Sequence, residues 1–417
     1  MDPILGPVDR AHAMPNAASI RPELLQELHS ARGLLVAGLL SGTSCDGVDV
    51  ALCRIRLAPG ADDVQPPELL RHATRPFEEL PGGAALRTRL LRLIDGRCES
   101  LADVATAHRD MALACAAALA SVEREAGLRV GLVGSHGQTV WHHDGVAEFR
   151  GATLQLGDPS TLAEHCARAV VGDFRWRDLA RGGEGAPLVA LVDHLIFPDL
   201  PRPAAILNLG GIANLTLLGR ERDELLAFDC GPANCVLDTL ARMFLGAPCD
   251  ADGAVAGAGV VDEALLARWM AHPYFALPAP KSTGRDTFSR AWVEGLVAAE
   301  SATRADAPRL LATAVELVAR SIAQALHAAI ARHPRLAGPG PLVVAGGGVG
   351  NLALMSALRR HAGALVEAGA VGPAARAREG LLFALLAARH VAGIPSTHPG
   401  ATKARAGGVL GVYAPPA

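Results

Sequence analysis

One pattern occurs twice in this chain and limits its possible folds more than any other feature. LLVAGLL (34–40) is an apolar run of strand length, SGTSCDG (41–47) is turn chemistry, and VDVALCRIRL (48–57) alternates apolar and polar residues. Strand, small polar tip and returning strand read as a β-hairpin. AAILNLGG (204–211) and IANLTLLG (212–219) repeat the layout, and LLAFDCGPAN (225–234) adds a further strand and turn. The likeness is one of layout, not of residue identity. Two halves that each open on such a hairpin predict a duplicated α/β fold with a cleft between the halves. The proline-rich segment FPDLPRPAA (197–205) marks the expected boundary. This gives an N-terminal α/β domain over 33–200 and a C-terminal one over 201–417, with the last helix able to pack back on the first.

Other elements follow from periodicity. Helices are expected at 84–95, 101–127 and 161–170, and a buried strand at 131–140. A helix over 307–333 shows one apolar face of Leu311, Val315, Val318, Ile322, Leu326 and Ile330. PLVVAGGGVGN (341–351) reads as a strand entering a glycine turn, followed by the helix LALMSALRRH. A last helix spans 379–392. Residues 1–32 read as a poorly ordered leader.

Composition excludes several classes. A net charge of −3 with 19% charged residues leaves no basic excess for nucleic acid. The eight cysteines are scattered, with no zinc-type spacing, which suits reduced thiols in the cytoplasm. No basic-then-apolar leader is present, and no uninterrupted apolar run reaches about 18 residues, so no membrane span is expected.

The chemistry concentrates in a few tips. SGTSCDGVD (41–49) offers backbone amides and the hydroxyls of Ser41, Thr43 and Ser44, and Asp46 or Asp49 suits Mg²⁺ or its waters. It is not a Walker-type loop, and alone it is as well read as an ordinary tight turn. NLGGIANLT (208–216), FDCGPAN (228–234) and GGGVGN (346–351) are three more such tips, each common in isolation. Three consecutive glycines let backbone lie flat against a ligand, and Asn351 stands close to a helix start. GSHGQTVWHH (134–143) has no nucleophile elbow, and a metal site at His136, His142 and His143 would need a supporting carboxylate cluster that the sequence does not place; a substrate-lining loop is the middle reading. PKSTGRDTF (280–288) groups Lys281, Ser282, Thr283 and Arg285 as an anion contact or a plain surface loop.

VVGDFRWRDLARGGEGAPLV (170–189) is the densest polar patch. Alternating charges usually mark a solvated face, but the interleaved glycines argue for a shaped loop. A carboxylate beside arginines suits a general base with anion-binding partners. Spacing alone leaves Asp173, Asp178 and Glu184 all open for that role.

Together these motifs resemble the anhydro-N-acetylmuramic acid kinases. The resemblance rests on GLLSGTSCDGVDVAL, GSHGQTVWH, LQLGDPSTLAE, GDFRWRDLARGGEGAPLV, ILNLGGIANLT, FDCGPAN, PKSTGRDTF, GGGVGN and EGLLFALLA, in family order from about 34 to 413. It implies the two-domain sugar kinase/Hsp70/actin (ribonuclease H-like) fold, with an ATP cleft between duplicated domains. It implies a kinase that opens the 1,6-anhydro ring of 1,6-anhydro-N-acetylmuramic acid with water and phosphorylates the 6-oxygen, in peptidoglycan recycling. Asp178 matches the catalytic carboxylate, as general base on the water.

The resemblance further implies nucleotide contacts at Gly42, Thr43, Ser44, Cys45, Asp46, Gly47, Val48 and Asp49. Others fall at Gly210, Gly211, Asn214, Gly231, Asn234, Gly346, Gly347, Gly348 and Asn351. Sugar contacts fall at His136, Gln138, Arg175, Arg177 and Glu184, and Mg²⁺ at Asp46 and Asp229. A cytoplasmic homodimer acting on sugar and ATP is expected, with no nucleic acid or membrane partner. Three departures stand out: Glu184 replaces a common Gln, Ala233 replaces a frequent Gly, and the leader is long.

Overall fold

The computed structural model describes residues 22–416, except 43–44, 99, 147–148, 222, 284–286, 299, 339 and 372–376; the side chains of 143–150 and 368 are also left out. Its first sheet contains β1 (Leu34–Ser41), β2 (Gly47–Ile55), β3 (Glu68–Pro76), β4 (Leu132–Val146), β5 (Phe149–Leu156) and β6 (Ala169–Gly172). The second contains β7 (Ala204–Leu209), β8 (Ile212–Leu218), β9 (Leu225–Pro232), β10 (Leu342–Ala345) and β11 (Leu365–Glu367). A last strand, β12 (Val412–Ala414), returns to the first sheet beside β6.

The two sheets share one topology. β1, β2 and β3 form an antiparallel meander, and β4 then β6 continue in parallel on the other side of β1. β7, β8 and β9 form the same meander, and β10 then β11 lie parallel beside β7. The duplication expected from the two hairpins is therefore present strand for strand. β5 and β12 are additions to the first sheet.

Strands covered on both faces must be apolar on both. Along β1, Ala37 and Leu39 face the helices Gly83–Ile94 and Leu101–Ala126, while Val36 and Leu40 join the core around the helix Arg378–Val391. That latter core runs on without a break to Ile206, Ala227 and Val343 of the second sheet. Phe197 and Leu200 of the proline-rich segment are buried in it. The opposite face of the second sheet packs on the helix Ala307–Arg332. By length and composition that helix would cross a membrane, but most of it is buried in this core.

Three details differ from the sequence reading. Residues 22–29, assigned to the leader, form a helix whose Leu24 and Leu28 are buried in the first core; residues 1–21 lie outside the described residues. The helix expected at 161–170 runs only over Pro159–Cys166, because Ala167 turns left-handed (φ 52°) and β6 begins two residues later. β3 carries no alternation, because it lies at the sheet edge, half exposed along its length.

Candidate active site

The polar patch after β6 folds around one carboxylate. Asp173 adopts φ 54° and turns the chain into the short helix Phe174–Ala180. Residues three apart on a helix share a face. Arg175 and Asp178 accordingly point the same way, while Trp176 and Arg177 are exposed. Asp178 is fully buried. Its Oδ2 accepts the Gly185 N–H at 2.8 Å and its Oδ1 accepts the Thr402 hydroxyl at 2.7 Å. A Cβ on Gly183 would lie 2.2 Å from Oδ2, so the loop closes this tightly only with glycine there. Burial raises the Asp178 carboxyl above the usual range, opposed by the Thr402 and Gly185 hydrogen bonds and by the Arg175 charge. Of the three carboxylates that spacing left open, Asp178 alone is fully enclosed beside a cation.

Arg175 is itself held from two sides. Its Nε donates to His136 Nε2 at 3.0 Å and a terminal nitrogen donates to the Gly185 carbonyl at 2.6 Å. Burial lowers Arg175 to about 10, with Asp178, Asp229 and Glu379 opposing that shift. His136 stacks on Phe383 at 4.6 Å, and burial beside Arg175 holds it well below its ordinary value, hence neutral and able to accept. Gln138 is fully buried, and its side-chain oxygen accepts the Cys45 thiol at 3.2 Å. It braces the first tip. Arg177 is not brought into this group.

The tips of the second sheet converge. Asn234 N–H donates to the Gly210 carbonyl at 3.0 Å, Ala233 N–H to Gly211 at 2.9 Å, and the Asn234 amide to Leu209 O at 3.1 Å. Gly346 has φ 91°, and a Cβ there would lie 2.7 Å from Leu209 O. A Cβ on Gly348 would lie 3.1 Å from Asn234 Oδ1, whereas Gly347 and Gly210 face more open space. Residues 208–211, 231–234 and 346–348 thus form one backbone-lined surface. Gly231 packs closely on Phe275. Asn351 caps the helix Leu352–Ala362 through Leu354 N–H at 2.9 Å, so its side chain serves the helix. Asp229 accepts the Thr283 N–H at 2.9 Å. Among the described residues, Ser41 Oγ, Asn214 Oδ1 and Thr283 Oγ1 are buried with no hydrogen-bond partner.

The first tip is mixed. Gly47 and Val48 are strand residues paired with Pro76 and Arg75, and Val48 is fully buried. Cys45 N–H donates to the Gly42 carbonyl at 3.1 Å. Asp46 faces Arg87 at 3.5 Å, and Asp49 takes the Thr74 hydroxyl. Thr43, Ser44 and Arg285, and the side chain of His143, lie outside the described residues. Asp46 and Asp229 belong to no gathered metal cluster, and among the described residues no group of three or more His, Cys, Asp or Glu exists.

The structure adds three residues to the site that sequence reasoning left out. Glu379 opens the helix Arg378–Val391; solvent reaches it, yet the protein crowded around it raises its carboxyl, with Arg378 opposing, Asp49 adding and Arg175 opposing. The stretch EGLLFALLA carried the only hint. Thr402 and Lys403 come from a tail with no periodic signal. Lys403 donates to Glu184 Oε1, so the departure at Glu184 carries its own counter-charge.

The model of the family described as anhydro-N-acetylmuramic acid kinase matches residues 34–416. The chain belongs to the anhydro-N-acetylmuramic acid kinase family. The relative named for that activity in Gloeobacter violaceus is 42% identical over 381 residues, covering 89% of this chain and 96% of the relative. That of Parasynechococcus marenigrum is 40% identical over 400 residues, covering 92% and 100%. Family membership agrees with the two matching sheets, which are the duplicated α/β fold expected of the sugar kinase/Hsp70/actin superfamily.

Proposed function

We propose that this member of the anhydro-N-acetylmuramic acid kinase family opens the ring of 1,6-anhydro-N-acetylmuramic acid and phosphorylates it, giving N-acetylmuramic acid 6-phosphate. The observation that carries the reading is Asp178, enclosed and hydrogen-bonded through both oxygens beside Arg175. Asp178 accepts a proton from water as the water oxygen bonds to C1. The C1–O6 bond breaks, and O6 takes the γ-phosphoryl group of ATP, leaving ADP. A glycosidase needs a second carboxylic acid to protonate the leaving oxygen. Here the phosphoryl group takes the place of that proton, so one carboxylate suffices. His136 holds Arg175 in place, and the guanidinium faces the anionic parts of sugar and phosphate.

The backbone surface of 208–211, 231–234 and 346–348 suits a nucleotide, and the partnerless Asn214 and Thr283 atoms suit its polar groups. Mg²⁺ typically keeps waters and takes one or two carboxylates plus substrate phosphates. Asp229 is the residue that would hold it, and the ion would neutralise charge developing on the phosphates. Asp46, engaged with Arg87, is the weaker candidate. Glu184, bonded to Lys403, is assigned to the loop and not to direct sugar contact. We also place the domain boundary near 200, and the protein in the cytoplasm as a homodimer.

The test is one incubation with ATP, Mg²⁺ and the anhydro sugar in ¹⁸O-water. The expected product is a 6-phosphate labelled at the anomeric oxygen. Unlabelled product, or turnover of a different sugar only, overturns the mechanism.

A further inference from the structure

The loop that carries Asp178's partners does not stand by itself. Residues 181–185 and 402–406 are more than 200 positions apart, yet they are stitched together by a ladder of bonds. Glu184 N–H donates to Thr402 O at 2.8 Å and Arg405 N–H to Arg181 O at 3.1 Å. Arg181 Nε donates to Arg405 O at 2.9 Å, and its terminal nitrogen reaches Ala406 O. A Cβ on Gly183 would lie 2.7 Å from Ala404 Cβ, so the two segments touch. At one end of the ladder Thr402, fully buried, reaches Asp178 Oδ1.

Lys403 joins the ladder by an ion pair to Glu184, beside the Arg181 guanidinium that binds tail carbonyls. It closes the short helix Pro399–Thr402 with φ 64°, in the left-handed region where glycine or asparagine is the common choice. A lysine here carries backbone strain, and its ammonium is spent on Glu184, nine-tenths buried. We propose that Lys403 is a positioning residue: by clasping Glu184 it seats the 402–406 segment on the 181–185 loop. This seating sets Thr402 and Gly185 on the two oxygens of Asp178. The proposal rests on Asp178 being the base.

The surroundings of Asp178 make the clasp matter. Arg175 on the same helix is the cation that faces it, with His136 behind Arg175 on β4. His142 of β4 approaches Gly185. Arg181 is turned to carbonyls of the tail, Arg177 is exposed, and Glu184 and Lys403 satisfy each other. The Thr402 hydroxyl and the Gly185 amide are therefore the two donors that favour the ionised carboxylate besides Arg175. A slack tail removes the first and loosens the second.

The test is a mutant cycle on the full chain. Lys403→Met is expected to lower kcat roughly ten- to a hundredfold, because sub-ångström misplacement of a reacting group has effects of that size. The acid limb of kcat/KM should move to higher pH, with KM for ATP unchanged. Thr402→Val should do the same, and the double variant should be no worse than Thr402→Val alone. Lys403→Arg should restore activity. Lys403→Gly, which relieves the left-handed strain, should show the same loss and covers the case in which Lys403→Met does not fold. Additive losses in the double variant, or wild-type kinetics in both Lys403→Met and Lys403→Gly, overturn the proposal. If Asp178→Asn keeps full turnover, the reading of Asp178 has failed; if it abolishes turnover while the Lys403 variants are unaffected, the clasp alone has failed.

Discussion

In the first sheet, β1 and β4 present Gly38 and Gly134 to the helix Arg378–Val391, and backbone meets backbone. A Cβ at Gly38 would lie 1.8 Å from Gly380 O, and one at Gly134 would lie 2.0 Å from Phe383 O. In the second sheet, Leu310, Leu317, Val318 and Ile322 of the helix Ala307–Arg332 share one side-chain core with Leu207, Leu215 and Phe228 of the strands. The charges divide in the same way. The first half carries the enclosed carboxylate, its arginine and its histidine; the second half offers mostly glycine and asparagine tips. One strand order is thus used twice, once to enclose a carboxylate and once to present amides. The frame is shared, and the chemistry lives in the loops grafted on it.

Four changes would break or sharpen that division. Asp178→Asn should cut turnover of the anhydro sugar by about 10³-fold or more, within the usual range for a lost general base. ATP affinity, measured by calorimetry, should stay the same; a parallel loss of ATP binding would show that the halves are not separable. Gly346→Ala should raise KM for ATP by about tenfold through strain at a left-handed position, of order 1–3 kcal/mol. Sugar affinity should not move. A reversed pattern would put the nucleotide elsewhere.

Gly134→Ala should lower stability by about 1–3 kcal/mol, as overpacking does. Gly257→Ala, in a helix of the second half with nothing within 4 Å of the new Cβ, should be neutral or stabilising by about 0.5–1 kcal/mol. Equal melting shifts would contradict the contrast in packing. The smallest effect concerns pH. The base works ionised, and burial raises Asp178, so activity should fall as pH drops through a value above the ordinary carboxylate range. A kcat/KM profile whose acid limb lies at or below that range would show Asp178 to be unperturbed.

Much of this was legible in the sequence, for local reasons. Both hairpins and the helix at 307–332 have strong period-two or three-and-four signals, and tight polar tips need glycine wherever they occur. β3 was missed because an edge strand has no buried face to impose alternation. Asp178 could not be chosen over Asp173 and Glu184 by spacing, because its distinction is burial. Thr402, Lys403 and Glu379 were invisible because their partners lie about 200 or more positions away. Arg177 is exposed, one residue off the face shared by Arg175 and Asp178, so its place in the site rests on the resemblance alone.

The return of the chain end to the first sheet has a consequence for biosynthesis. β1 and β4 leave the ribosome early, but the helix that covers their inner face lies at Arg378–Val391, and β12 follows later still. At about 5–20 residues per second, some 200 further residues take roughly 10–40 s to emerge. Throughout that interval the nascent first half carries an uncovered apolar face with two glycine-lined grooves, while the second half assembles largely from neighbours in sequence. The first half is therefore the part of the newborn chain whose core closes last, and a stop codon placed just before Arg378 would leave that face without its helix.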